Sequence, residues 1–399
     1  MATDSTGDGG TSGILDGVRV VELAAWVAGP AAAGVLADWG ADVVKVEPAS
    51  GDPQRGIFGA VGGRDQTTVP PFELDNRGKR SVVLDLRATT GQDAMELLLE
   101  RADVFVTNTR VPALARLGLD PTAVRRRHPR LIYGIITGYG LHGPDAHRPG
   151  YDVGAFWARS TLASSVVPRG ELPPPIRGGF GDHVTGMTLA GGICGALFDR
   201  QRTGRGHLVS TSLLRTGLYC AGWDLGILLR FGKLQSTRPR EQSMTPLMNC
   251  YAAEDGNGFW LLGLESDRHW PGLVAALERP NLADDERFSG ATDRLTNAAA
   301  LIAELDVAFA SAPMAHWAAR FDDHDVWWAP INNPRTVLDD AQVEASGAFV
   351  DMPVPDGVAS YRAVASPIDI DDQAQRPGAV PTLGEHTAEV LAELGLPFE

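Results

Sequence analysis

Asp182 stands in the stretch GGFGDHVTGM (178–187), a carboxylate crowded by three glycines just before an apolar run that reads as a helix. Aspartate is a favoured helix N-cap, because its side chain accepts a backbone N–H from the following turn. Capping accounts for Asp182 but not for Gly178, Gly179 and Gly181 packed against it. Glycine admits positive φ and lets a ligand approach the backbone closely. A carboxylate at a helix N-terminus, bordered by bare N–H groups at Gly179 and Gly181, can serve as a nucleophile beside an oxyanion site. With an ordinary pKa of about 3.9, such a group is ionised at neutral pH. His183 follows directly, but adjacent side chains on a helix diverge, so sequence adjacency makes no dyad.

Cationic and polar candidates cluster at the ends of expected strands. Lys79 and Arg80 lie in NRGKRS (76–81); Asn108 and Thr109 end another run, with Arg116 farther along TNTRVPALARLGL (107–119). Taken singly, each also reads as solvated surface. Tyr151 and Asp152 follow a Gly/Pro-rich loop, where the tyrosine reads equally as a core residue or a site residue. The RRRHPR run (125–130) reads as an exposed helix face.

The elements that position these residues follow from periodicity. VRVVEL (18–23) is a short β-rich run, a helix is expected to open at Pro30, and ADVVKVEP follows as a second strand ending near Glu47. Strand, helix and strand in about 30 residues is the size of a βαβ unit. The pattern recurs with SVVLDL (81–86), the helix TTGQDAMELLLERA, DVFVTN (103–108) and a strand from Leu131. Near-continuous apolar strands alternating with helices predict an α/β fold, a doubly wound, Rossmann-like parallel sheet. Ligands of such sheets lie beyond the carboxyl ends of the strands. The region from about 223 to 332 reads differently: a hairpin turning at Asp255–Gly258, then amphipathic helices including DRLTNAAALIAELDVAFASA. The expected organisation is a disordered tail over 1–12, a large domain over 13–222, a small α+β domain over 223–332, and a C-terminal segment, 333–399, returning to the large domain.

Composition narrows the function classes. The 399 residues are 44% hydrophobic and 21% charged, with a formal net charge of −15. That charge argues against non-specific nucleic-acid binding. Three cysteines without metal or redox spacing point to a reducing compartment and to no metal site. The N-terminus lacks the features of a signal peptide and no apolar run is long enough to span a membrane, so a cytoplasmic location is expected. The turn after the first strand, AAWVAGP, lacks G-x-G-x-x-G, which removes the phosphate loop of a nicotinamide or flavin enzyme.

Several motifs then fall in one order: LDGVRVVEL with AGP, GADVVKVEP with GD, LDNRGKRSVVLDL, DVFVTNTR with RLGLD, PRLIYGIITGYG with GP, GYD, GD with TGM, FDRQRTGRG and, near the end, LGEHTAEVLAELG. Together they span nearly the whole chain after residue 13, and in this order the sequence resembles the family III CoA-transferases, the group that includes formyl-CoA and carnitine CoA-transferases and the α-methylacyl-CoA racemases. The resemblance implies an interlocked, ring-like homodimer, with acyl-CoA and a free carboxylic acid as substrates and no prosthetic group. It implies that Asp182 carries the acyl group as a mixed anhydride and then CoA as a thioester. It places CoA contacts at Val27, Ala28, Leu74 to Arg80 (with Lys79), Asn108, Thr109, Arg116, Tyr151 and Asp152. The racemase branch uses a His–Asp pair for proton transfer, and its histidine falls where this chain has Tyr151, a poor base at neutral pH. Two departures from the transferase pattern stand out: Pro48 replaces the arginine that often follows the strand-end acid, and 235–246 lacks the glycine run of the formyl-CoA branch. A CoA-binding protein without chemistry is the third class, and retention of Asp182 in its glycine setting argues against it.

Overall fold

The apolar runs become strands of a single sheet in the computed structural model, which describes residues 13–60, 68–353, 360–372, 375 and 377–398. The tail read as disordered, 1–12, lies outside the described residues. The strands are β1 (Arg19–Leu23), β2 (Asp42–Glu47), β3 (Arg80–Val83), β4 (Val104–Thr107), β5 (Ile132–Thr137) and β6 (Leu208–Ser212). They pair in the order β3-β2-β1-β4-β5-β6, every pair parallel. Val20, Val43, Val104, Val106 and Ile132 point into one core and Val46, Val82, Phe105 and Tyr133 into another, so both faces of the sheet are covered. Burial on both faces is why these strands lack polar alternation. The order reverses between β1 and β4, and the crevice beyond their carboxyl ends is where ligands of such sheets bind.

The helices of this unit are α1 (Ala28–Asp38), α2 (Pro70–Asn76), α3 (Thr89–Arg101), α4 (Val111–Arg116), α5 (Pro121–Arg127), α6 (Phe180–Thr203), α7 (Leu213–Cys220) and α8 (Gly222–Phe231). Helix α1 opens at Ala28, two residues before the expected start at Pro30. Proline sits comfortably there, because an N–H in the first turn has no intrahelical acceptor. Eight of its residues, from Ala28 to Leu36, are buried, and α6 crosses it closely. A Cβ at Gly186 would lie 3.0 Å from the Ala28 carbonyl oxygen, the Ala31 Cβ and the Ala32 nitrogen. Glycine against alanine thus sets how near the N-terminus of α6 comes to the start of α1. Arg125, Arg126 and Arg127 form the exposed last turn of α5.

The chain divides into two compact units, the first holding residues up to Ala163, then Pro173–Leu234 and Gly347 onward, the second Ser164–Leu172 and Gln235–Ser346. The small-domain bounds expected at 223 and 332 therefore move to 235 and 346, with a short excursion at 164–172. Helix α8 groups with the sheet. In the second unit β7 (Cys250–Ala252), β8 (Gly258–Leu261) and β9 (Trp328–Pro330) form an antiparallel sheet, with β7 and β8 as the expected hairpin. It packs on α9 (Ser266–Leu277), α10 (Ala298–Phe309) and α11 (Met314–Asp323) around Phe259, Phe309 and Phe321. The helix expected from residue 293 breaks at Asn297, whose side chain donates to the Arg287 and Asp293 carbonyls.

The C-terminal segment adds the hairpin β10 (Phe349–Pro353) and β11 (Ser360–Val364) and the helix α12 (Thr387–Leu394). Val390 and Leu394 enter the sheet core. The edge strand β3 is protected here, since the Ser81 and Val83 N–H groups donate to His386 Nδ1 and Thr387 Oγ1, which removes a free edge for association. Among the described residues no single helix is long and apolar enough to cross a membrane.

Candidate active site

Asp182 lies in the first turn of α6, not at its cap. The cap is Gly179, whose φ of +97° is left-handed, a conformation cheap only for glycine. The capping role open to Asp182 on sequence grounds is therefore replaced by a free position on the first turn. Gly181 answers a second demand: a Cβ there would lie 2.2 Å from Phe156 Cγ and 2.4 Å from Asp152 Oδ1. Any side chain at 181 would push apart α6 and the π-helical turn Val153–Ala158, which Asp152 precedes. Gly178 meets no such constraint, with nothing within 4 Å of a Cβ.

Three carboxylates and one imidazole gather at this helix start. Asp152 is 3% exposed. Neither of its oxygens reaches a hydrogen bond of good geometry, yet the Gly181 and Gly179 N–H groups are near enough to favour its charge. Burial outweighs them and the His183 charge, so its pKa is raised. The N–H groups foreseen as oxyanion donors thus face Asp152. Asp182 is half-buried. Burial first, then the charges of Asp152 and Asp75, push its pKa up to about 7, with His183 acting in the opposite sense. This corrects the expectation of an ordinary, fully ionised aspartate: near neutral pH the site holds Asp182 partly protonated.

Sequence adjacency gave no dyad for His183, and the structure forms none with its neighbour. Its partner is not Asp182 but Asp75, at the end of α2, whose Oδ1 lies 2.9 Å from His183 Nε2. Asp75 is fixed in turn by close packing, since a Cβ at Gly34 of α1 would lie 2.7 Å from the Asp75 carbonyl oxygen. The histidine in GDHVTG and the aspartate in LDNRGKR were both visible, but 108 positions separate them.

Beneath the crevice, β1 and β2 carry a buried ion network. Lys45 Nζ lies 2.8 Å from Glu22 Oε1, 3.0 Å from Asp52 Oδ2 and 3.1 Å from the Ala24 carbonyl oxygen. Asp52 Oδ1 accepts from the Trp26 N–H at 3.0 Å. Trp26 has φ of +67°, a strained conformation for a bulky residue, which the surrounding structure has to hold. Burial raises the Glu22 pKa, but Lys45 and Lys79 bring it below the usual range. The network holds the loop after β1, where Val27 and Ala28 begin α1.

The other expected contact residues separate into groups. Asn108 and Thr109 follow β4 at the switch point. Both ends of the Asn108 amide bind the Ala25 backbone, at 3.0 and 2.7 Å, and Thr109 Oγ1 donates to the Leu23 carbonyl at 3.3 Å. They join the loops after β1 and β4. Arg116 is exposed in the last turn of α4, and neither it nor Arg110 has an ion-pair partner among the described residues. Tyr151 is 68% exposed, which removes the core reading, and meets Trp26 edge-on at 6.3 Å. Leu74, on α2, is half-buried one residue before Asp75.

Lys79 and Arg80, by contrast, are engaged inside the fold. Lys79 is buried, 2.7 Å from Glu22 Oε2, and donates to the Pro30 carbonyl at 2.9 Å and to Asn76 Oδ1 at 3.0 Å. Arg80 binds Asp42, Glu389 and Glu393, tying β3 to β2 and α12. Their charges are met by carboxylates that lie far from them along the chain. Among the described residues no group of three or more His, Cys, Asp or Glu is placed to hold a metal.

Comparison with known proteins bears on this geometry. The family model described as CoA-transferase family III matches residues 15–387. The chain is 31% identical to the (R)-2-hydroxy-4-methylpentanoate CoA-transferase of Clostridioides difficile, covering 96% of each protein. It is 31% identical to the cinnamoyl-CoA:phenyllactate CoA-transferase of Clostridium sporogenes, over 96% of this chain and 93% of that one. The crystal structure of a CAIB/BAIF family protein from Brucella suis superposes with a TM-score of 0.82 at 31% identity, over 96% of this chain and all of that one.

Proposed function

The chain belongs to CoA-transferase family III, and from that premise we propose that it passes CoA from an acyl-CoA to a free carboxylic acid, with Asp182 as the covalent carrier. The observation that carries this reading is the setting of Asp182: a half-buried carboxylate on the first turn of α6, its pKa raised to about 7, on a turn whose two glycines meet a left-handed φ at 179 and close packing against Phe156 and Asp152 at 181. A carboxylate that holds its proton more tightly is also a better nucleophile when ionised.

Each step balances. An Asp182 oxygen attacks the thioester carbonyl, the C–S bond breaks, and CoA leaves as thiolate while the acyl group remains as a mixed anhydride. The thiolate attacks the Asp182 carbonyl and releases the donor acid. The acceptor carboxylate attacks the resulting aspartyl thioester and forms a second anhydride with Asp182. The freed thiolate closes the cycle on the acceptor's carbonyl and returns Asp182 as a carboxylate. No proton is gained or lost, so the protein's task is to ionise Asp182, hold the partners and exclude water that would hydrolyse the anhydride.

CoA lies in the crevice beyond β1 and β4, along Val27, Ala28 and Tyr151, with its phosphates toward Arg110 and Arg116, which have no ion-pair partner among the described residues. Asn108 and Thr109 shape the loops there. A racemase reading lacks its base, because position 151 is tyrosine.

The reading includes a second copy of the chain. Helix α8 is largely apolar yet has no buried residue; Trp223 is 84% and Leu229 86% exposed, with Phe231 and Tyr219 nearby. A contiguous apolar face of this kind marks an interface, and self-association covers it.

The test of the carrier is Asp182→Ala. The expected result is loss of transfer to background with CoA affinity, by calorimetry, within a few fold of wild type. Turnover retained in that variant overturns the assignment.

A further inference from the structure

The reaction cycle needs Asp182 charged, while its surroundings favour the neutral acid. Asp152 and Asp75 both add negative charge beside it. Among the groups that act on Asp182, His183 supplies the opposing charge. Its ring is held by Asp75, whose Oδ1 lies 2.9 Å from Nε2, and its Nδ1 and Cε1 lie on the side of Gly179, 3.8 Å from where a Cβ would sit. We propose that His183 and Asp75 form a charge-supplying pair for the nucleophile, the imidazolium, clamped by the buried Asp75 carboxylate, favouring the carboxylate form of Asp182 between its acidic neighbours. This rests on the reading of Asp182 as the covalent carrier.

Charged groups face His183 from several elements packed against it. From α2 comes Asp75, whose side chain is 2% exposed and whose Oδ2 lies 3.5 Å from Gln54 Nε2. Behind Asp75 stands Lys79, which is committed to Glu22 at 2.7 Å. From the turn preceding Val153–Ala158 comes Asp152, and from His183's own turn, Asp182. The near end of α1, AGPAAAG, offers no ionisable side chain. Three carboxylates therefore surround one imidazole, an arrangement that favours its protonated form. Burial pulls the His183 pKa down, but the hydrogen bond and charge of Asp75, the charge of Asp182 and the Gly179 backbone together raise it. The side chain is 42% exposed, so desolvation is partial and the charge remains affordable. Because the cycle moves no proton, His183 acts by its charge. It is a positioning residue, and what it contributes is the positive charge at position 183 rather than an imidazole that shuttles protons.

The test is the pH dependence of kcat/KM and of single-turnover trapping of Asp182, in wild type, His183→Gln and His183→Lys. Removing one charge beside Asp182 is expected to move the acid limb up by about one pH unit, a loss of roughly ten-fold at pH 6 that diminishes toward pH 9. His183→Lys, which keeps the charge, is expected to hold its limb within about 0.3 unit of wild type. A Gln profile scaled down uniformly, or superimposed on wild type, overturns the proposal. If the Gln variant does not fold, the Lys variant decides: a limb at the wild-type position sustains the pair, and a displaced limb overturns it. Failure of the underlying reading is distinguishable, since wild type itself would then trap nothing on Asp182.

Discussion

Replacing Asp182 by asparagine tests the electrostatics of the site without any substrate. The Asp182 pKa rises from 3.8 to about 7 on folding, so the folded state prefers the protonated acid. The sign follows from linkage: the carboxylate costs nothing at pH values below its unfolded pKa, costs more as pH climbs through the interval, and costs its full amount above about 7. About three pKa units correspond to roughly 4 kcal/mol. Asp182 is only half-buried, and solvent screening reduces this to about 2 kcal/mol. Between pH 5 and pH 8, Asp182→Asn is expected to gain roughly 1–2 kcal/mol on wild type. Asparagine has nearly the same shape, so packing differences cancel when the two pH values are subtracted. Urea unfolding of both proteins at both pH values, followed by tryptophan fluorescence, gives the difference. A stability gap identical at pH 5 and pH 8, or one that turns against asparagine at pH 8, refutes the assignment of a raised pKa.

Gly181→Ala places a methyl within 2.4 Å of Phe156 and Asp152; the helix start must shift, and a displacement of about 1 Å costs on the order of 100-fold in kcat, read by steady-state kinetics. Lys45→Met leaves the buried Asp52 without its cation and Glu22 with Lys79 alone; a loss of about 3–5 kcal/mol in urea unfolding is expected. Leu229→Glu charges the exposed apolar face of α8; light scattering is expected to find wild type as a dimer and the variant as a monomer, and a monomeric wild type contradicts the proposed self-association.

The sheet was legible because its strands are buried on both faces, which leaves apolar runs such as VRVVEL, VVKVE and LIYGIIT that periodicity identifies. Helix ends were less so: α1 starts at Ala28, since nothing local distinguishes that residue from Pro30 as a first turn. The joining of 164–172 to the second unit depends on contacts across some 70 positions, such as the bond from Thr237 Oγ1 to the Ser165 carbonyl, about which local pattern is silent. Within the site, Asp182 was visible because glycines advertise backbone demands, at Gly179 a positive φ and at Gly181 close approach. The Asp75–His183 pair was not, because it joins helices far apart in sequence. The partners of Lys79 and Arg80 were hidden for the same reason. A cation at a strand end looks available until its carboxylates are known, and here Glu22, Asp42, Glu389 and Glu393 occupy them.

The most direct measurement is chemical capture of the carrier. Wild-type protein is mixed with an acyl-CoA without acceptor acid, quenched with hydroxylamine or borohydride, digested and sequenced by mass spectrometry. The account predicts a hydroxamate or a reduced side chain on Asp182, dependent on acyl-CoA and absent from Asp182→Asn. Steady turnover accompanied by an unmodified Asp182, or by capture at another residue, contradicts it.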